Sequence, residues 1–177
     1  MSNQSQQELI QNQIKLVNYL NEVIKNKFKT SKYQFQVSKV NPYDEIKQPL
    51  RQIESSAFII FPFDTEDGAS YILFHRELSH TISELMIGLN ESTKIKNGPP
   101  SVIETFSCHK ICTYIQEHYQ LQQKSISVSS TPTWIDFDLL DEIGNELMVS
   151  TITLTDSSPR KRNCYLLFPK KFIGDKL

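Results

Sequence analysis

Hydrophobic positions along the chain follow two periods in alternating blocks, one near 3.6 residues and one of 2. From Glu8 to Phe28, Ile10, Ile14, Val17, Leu20, Ile24 and Phe28 recur every three or four residues, and Leu9, Leu16 and Val23 widen the stripe. This block holds no Gly or Pro and reads as a long amphipathic helix. Its other face, of Asn, Gln, Lys and Glu, is a solvated one. Residues 1–7 are polar and expected to be flexible. Tyr33, Phe35 and Val37 then alternate with Gln34, Gln36 and Ser38, the pattern of a half-buried strand. Asn41-Pro42 ends it, since proline donates nothing to a ladder and restricts the residue before it. Tyr43 to Ile53 reads as a short helix interrupted at Pro49. Ala57 to Phe63 is an almost unbroken apolar run, as in a strand covered on both faces. Glu66-Asp67-Gly68 is a turn signal, and Ala69 to Phe74 is the returning strand. Glu77 to Leu89 goes back to helical spacing, with Gly88 placed to close it.

The second half has a similar order. Asn90 to Pro100, ending in Asn97-Gly98-Pro99-Pro100, is a linker. Ser101 with Glu104 forms a capping box for a helix that runs to about Tyr119. Ser125 to Ser129 alternates as a strand and Thr131-Pro132 stops it. Residues 134–145 hold Trp134, Ile135, Phe137, Leu139, Leu140 and Ile143 without a single period, and Gly144-Asn145 breaks the run. Glu146 to Thr155 is a β-branched strand, followed by a basic hairpin loop through Arg160 to Arg162.

Two stretches look like copies of each other: Tyr71-Ile72-Leu73-Phe74 and Tyr165-Leu166-Leu167-Phe168. Each follows an earlier strand across a hairpin, so the domain is read as two related halves, about 8–90 and 100–177. Pooling their strands gives an α/β fold: one layered domain over 8–177 with a pseudo-twofold repeat and a mixed sheet of about six strands flanked by helices.

Composition narrows the function classes. At 177 residues the chain fits one domain with a real core, and 38% hydrophobic with 22% charged residues is ordinary for a globular protein. A formal charge of −1 gives no general attraction to nucleic acid or to anionic membrane. No apolar run approaches the ~18 residues that span a bilayer. With no signal-like N-terminus, the expected compartment is the cytoplasm. Cys108 and Cys112 share a helix face near His109, but a structural zinc site wants four ligands, and buried cysteine packs as a small hydrophobe. No cofactor or metal is expected.

Three segments carry a family likeness: Gly68 to Gly88, a strand leading into a helix that ends in glycine; Val102-Ile103-Glu104, at a helix start; and Leu166-Leu167-Phe168-Pro169, a closing strand that ends at proline. In these the chain resembles the CheC/CheX/FliM superfamily, and most of all the middle domain of the flagellar motor switch protein FliM. The resemblance implies a non-catalytic protein–protein interaction domain in a flagellar motor switch or a related secretion-ring assembly. It places the chain at the periphery of a membrane-anchored ring, among protein partners and with scope for self-association side by side. The family's FliG-binding turn, Gly-Gly-x-Gly, corresponds here to Gly88-Leu89-Asn90-Glu91, which are the implied protein-binding residues. The first helix and the helix from Ser101 are further contact surfaces.

The CheC and CheX branches imply an alternative, a phosphatase of a phosphorylated response regulator with Mg²⁺ on the partner. Their motif is matched in spacing by Asp138, Glu142 and Asn145. Residues three apart on a helix share a face, so an acid can anchor the partner while an amide orients the attacking water. Against this stand Gly144 and the strand after it, which work against a helix through Asn145. A second alternative is an adaptor of the same fold unrelated to motility. His75, His80, His109 and His118 form no metal pattern, and no glycine-rich phosphate loop is present.

Overall fold

The computed structural model describes residues 3–52, 57–89, 94–95, 98–160 and 162–174. The chain runs α1 (Asn3–Phe28), β1 (Gln34–Pro42), α2 (Tyr43–Gln52), β2 (Phe58–Thr65), β3 (Gly68–His75) and α3 (Arg76–Met86). It continues α4 (Val102–Leu121), β4 (Ile126–Val128), α5 (Phe137–Ile143), a 3-10 turn (Gly144–Glu146), β5 (Leu147–Thr155), β6 (Arg162–Pro169) and α6 (Lys170–Ile173). The strands form one sheet in the order β1-β5-β6-β3-β2-β4. That order reads the same from either edge once each element is exchanged for its counterpart in the other half.

The register puts the pseudo-twofold where the two similar stretches meet. Tyr71 pairs with Leu167 and Leu73 with Tyr165, so exchanging Tyr71 for Tyr165 and Leu73 for Leu167 maps the pairing onto itself, with Ile72–Leu166 at the axis. A mixed sheet was expected, but every neighbouring pair is antiparallel. The geometry requires this at the centre. β2–β3 and β5–β6 are hairpins, and a twofold axis normal to the sheet makes the two strands it relates run opposite ways.

Alternation along the strands sends side chains to two cores. On one face Phe61, Phe63, Ile72, Phe74, Leu166 and Phe168 meet Leu16, Leu20 and Ile24 of α1 and Ile111, Cys112 and Ile115 of α4. On the other Phe58, Ile60, Leu73, Leu147, Val149 and Leu167 meet Tyr43 and Leu50 of α2 and Leu140 of α5. The three cysteines are free and buried in the first core.

Several boundaries differ from the sequence reading. α1 begins at Asn3 rather than Glu8, so residues 3–7, expected to be flexible, are helical. Their polar side chains give the pattern no signal. β1 runs through Asn41 to Pro42 because a bulge between Val37 and Lys39 restores the alternation, turning Val40 into the core as Phe35 is before it. Pro42 is tolerated because β1 is an edge strand. α2 passes through Pro49 uninterrupted. α6 follows β6 as α3 follows β3, in shortened form, and its Phe172 ring packs against Tyr119 and Phe168 with centroids 5.0 and 5.2 Å away.

Candidate protein-contact surface

The α3–α4 segment starts from a glycine-dependent stop. Gly88 has φ +75°, its N–H donates to the Leu85 carbonyl, and the Leu89 N–H donates to the Glu84 carbonyl at 3.0 Å. This 6→1 and 5→2 pair is the Schellman arrangement, which satisfies carbonyls the helix leaves open. Ile87 and Leu89, on either side of Gly88, are 56% and 48% exposed. Asn90 and Glu91, the other half of the implied FliG-type turn, lie outside the described residues.

Where α4 begins, the expected capping box is present. Ser101 Oγ accepts from the Glu104 N–H at 3.1 Å, and Glu104 Oε2 accepts from the Ser101 N–H at 2.7 Å. Glu104 has a second role that the sequence pattern does not show. It is buried, and its Oε1 receives Arg76 Nε at 3.3 Å, with His80 Nδ1 at 3.8 Å. Arg76 also donates to the Gly98 carbonyl at 2.5 Å, so the α3 start, the linker end and the α4 start are held as one unit.

On this rigid base the α4 start presents apolar side chains to solvent. Val102, Ile103 and Phe106 are exposed, Val102 by 86%. Val102, Phe106 and His109 fall at i, i+4 and i+7, one stripe of the helix. With Pro100 and Ser130 they line a shallow cavity of about 320 Å³. His109 is fixed from below by the Phe61 ring, 5.5 Å between centroids. Among the described residues, six of the ten exposed large hydrophobics lie between positions 87 and 106: Ile87, Leu89, Ile95, Val102, Ile103 and Phe106. Scattered exposed apolar residues need no explanation, whereas Val102, Ile103 and Phe106, side by side on one helix start, make a candidate interaction surface. The α4 side chains follow the capping box directly, at the same helical spacing as the buried Ile111 and Ile115 further along. Periodicity cannot tell a buried stripe from an unpartnered one.

Asp138, Glu142 and Asn145 are placed elsewhere, over the second core. α5 is capped by Asp136, whose side chain accepts from the Asp138 and Leu139 N–H groups. Asp138 pairs with Arg51 Nη2 at 2.9 Å, and Asp141 meets the same nitrogen at 2.5 Å and the Tyr43 hydroxyl at 3.0 Å. Burial and the Asp141 carboxylate push the Tyr43 hydroxyl up to about 12. Glu142 lies in the last turn of α5, while Asn145 follows in the 3-10 turn, and both are exposed. Among the described residues no three His, Cys, Asp or Glu side chains converge as metal ligands, and no helix is long and apolar enough to cross a membrane.

The fold as a whole recurs in solved structures. A chain of the FliG–FliM complex from H. pylori superposes with TM-score 0.71 at 10% identity, covering 98% of each chain. The chain has the fold of the FliM middle domain. Thermotoga maritima FliY has this FliM-type fold too, with TM-score 0.70 at 10% identity over 98% of this chain and 93% of that one. The CheX–CheY–BeF3–Mg complex from Borrelia burgdorferi contributes a more distant match, TM-score 0.53 at 7% identity over 90% and 97%. No family model matches the sequence and no curated protein matches it.

Proposed function

We propose that this chain is a protein-interaction domain of the FliM middle-domain type that docks a partner on the exposed apolar start of α4, in a flagellar motor switch or a related secretion-ring assembly. The observation that carries this reading is the exposure of Val102, Ile103 and Phe106 together on the braced start of α4. The solved FliG–FliM complex supports a FliG-type partner. The contact turn that the family resemblance implies, Gly88, Leu89, Asn90 and Glu91, follows the C-terminal end of α3 and is a second candidate contact in this reading. The geometry suits docking, because the capping box and the Arg76–Glu104 pair hold the apolar side chains on a fixed frame, and preorganised contacts lose less entropy on binding.

The test is binding of the full chain to purified FliG from the same organism, by titration calorimetry. Val102→Asp and Phe106→Glu place a charge in the patch without touching the core. Each is expected to weaken binding by about tenfold or more, as for central interface anchors, with circular dichroism unchanged. Leu89→Asp is expected to act in the same direction. Wild-type binding that these variants leave unaltered, or no binding at all, refutes the reading.

A further inference from the structure

On the second face of the sheet, beside α2, the strands β1, β5 and β6 floor an open cavity of about 700 Å³. Glu45, Ile46 and Pro49 of α2 line one side, and Asp156, Pro159 and Arg160, in the turn after β5, line the other. The register lays two rows of polar side chains across the floor, Gln36–Thr153–Asn163 and Lys39–Thr151–Tyr165. Gln36 and Ser38 are exposed, and Asn163 and Tyr165 are half-buried, so all four offer surface to a molecule in the cavity.

A hydrogen-bond chain runs across this floor in one direction. Thr153 Oγ1 donates to Asn163 Oδ1 at 2.8 Å. Its only proton is then used, so in the 2.7 Å contact between the Ser38 and Thr153 hydroxyls it is Ser38 that donates. Ser38 Oγ is left as an acceptor at one end and the Asn163 amide N–H groups as donors at the other. Those donors and the Tyr165 hydroxyl have no partner among the described residues. The two ends lie two strand spacings apart, about 10 Å. The shared fold does not demand the chain. By the dyad, Thr151, Thr153 and Asn163 correspond to Pro62, Asp64 and Ala69, and alanine cannot carry it.

At the rim Lys39 and Arg160 balance Glu45 and Asp156, and Arg162 behind Asp156 adds a single positive charge. An ionic ligand meets little net attraction there, and an apolar one would strip water from hydroxyls and amides without replacing it. Groups that both donate and accept, held in a fixed direction, suit a ligand made of hydroxyls, each of which does the same. We propose that this cavity binds a sugar-class polyol. Ser38 and Asn163 hold hydroxyls at either end of the ring, Gln36 and Tyr165 add a bond each, and Ile46 and Pro159 meet its C–H face. The volume falls within the range of small-molecule sites, about 300–1,000 Å³.

The experiment is saturation-transfer-difference NMR of the full chain with glucose, ribose and maltotriose, against sodium acetate and tert-butanol as controls. A signal that saturates with at least one of the sugars, and is absent with acetate and tert-butanol, is the expected result. Tighter binding of maltotriose than of glucose assigns the site to a sugar chain, and the reverse assigns it to a free monosaccharide. Asn163→Ala removes the donors at one end and is expected to raise the half-saturating concentration by about tenfold. Gln36→Ala, on the exposed edge strand, is expected to raise it severalfold. The unfolding midpoint of Asn163→Ala without sugar checks that it still folds, and Gln36→Ala decides the matter if it does not. No saturable signal from any of the three sugars, an equal signal from acetate, or sugar binding that both variants leave unchanged overturns the proposal.

Discussion

Gly144 offers a quantitative test of how the second core is built. Its backbone is right-handed helical, φ −59° and ψ −30°, a conformation any residue adopts. What it lacks is room. A Cβ there would stand 2.6 Å from Cδ1 and 3.2 Å from Cε1 of Tyr43, and 3.0 Å from Asp44 Oδ1. Tyr43 is 0% exposed, lies in the core with Leu50, Leu140 and Leu147, and is pinned by its hydroxyl to Asp141. Gly144→Ala must therefore displace a large buried ring. Overpacking of this kind costs about 1–3 kcal/mol, and straining the Tyr43–Asp141 bond adds about 1 kcal/mol. Against that, removing glycine freedom from the unfolded chain returns about 0.4–1 kcal/mol. The expected net loss is about 1–3 kcal/mol, read as a lower urea midpoint with unchanged slope. Tyr43→Leu removes the ring atoms in the way, so Gly144→Ala in that background is expected to be nearly neutral, a clear departure from additivity. If Gly144→Ala in the wild type is neutral or stabilising, or if the two changes simply add, the close-approach account is wrong.

Gly88 tests the opposite role, because nothing lies within 4 Å of a Cβ there and only its φ of +75° resists substitution. Gly88→Ala is expected to cost about 1–2 kcal/mol through backbone strain alone, measured by chemical denaturation, and a neutral result would remove the Schellman stop from the account. Burial pushes the Cys164 thiol up to about 12 and raises those of Cys108 and Cys112 well above their usual value. Thiols of the unfolded chain ionise near pH 8.5 while these remain protonated, so the unfolded state binds fewer protons and stability falls as pH rises above about 8.5. A Cys164→Ala variant should show a shallower alkaline decline, and native protein should resist thiol reagents that label the unfolded chain at once. Rapid labelling of the native protein would count against this.

The sequence by itself determined the repeat and most of the elements. Matching Tyr71–Phe74 with Tyr165–Phe168 marks the repeat, while the pairing of those two strands about Ile72 and Leu166 is seen only in the sheet register. The capping box at Ser101 and Glu104 and the glycine stop at Gly88 are local devices, and local chemistry is written in adjacent residues. Three matters were decided only by tertiary structure. Pro42 and Pro49 look like breaks, but one sits on an edge strand and the other in a helix held by the burial of Tyr43 and Leu50. Gly144 looks like a turn residue, but its reason is the Tyr43 ring, brought against it from a hundred positions earlier in the chain. Val102 and Phe106 carry the period of a core stripe, and only the placement of neighbouring elements leaves them uncovered. Periodicity records which side chains share a face; whether anything packs on that face depends on contacts distant in sequence.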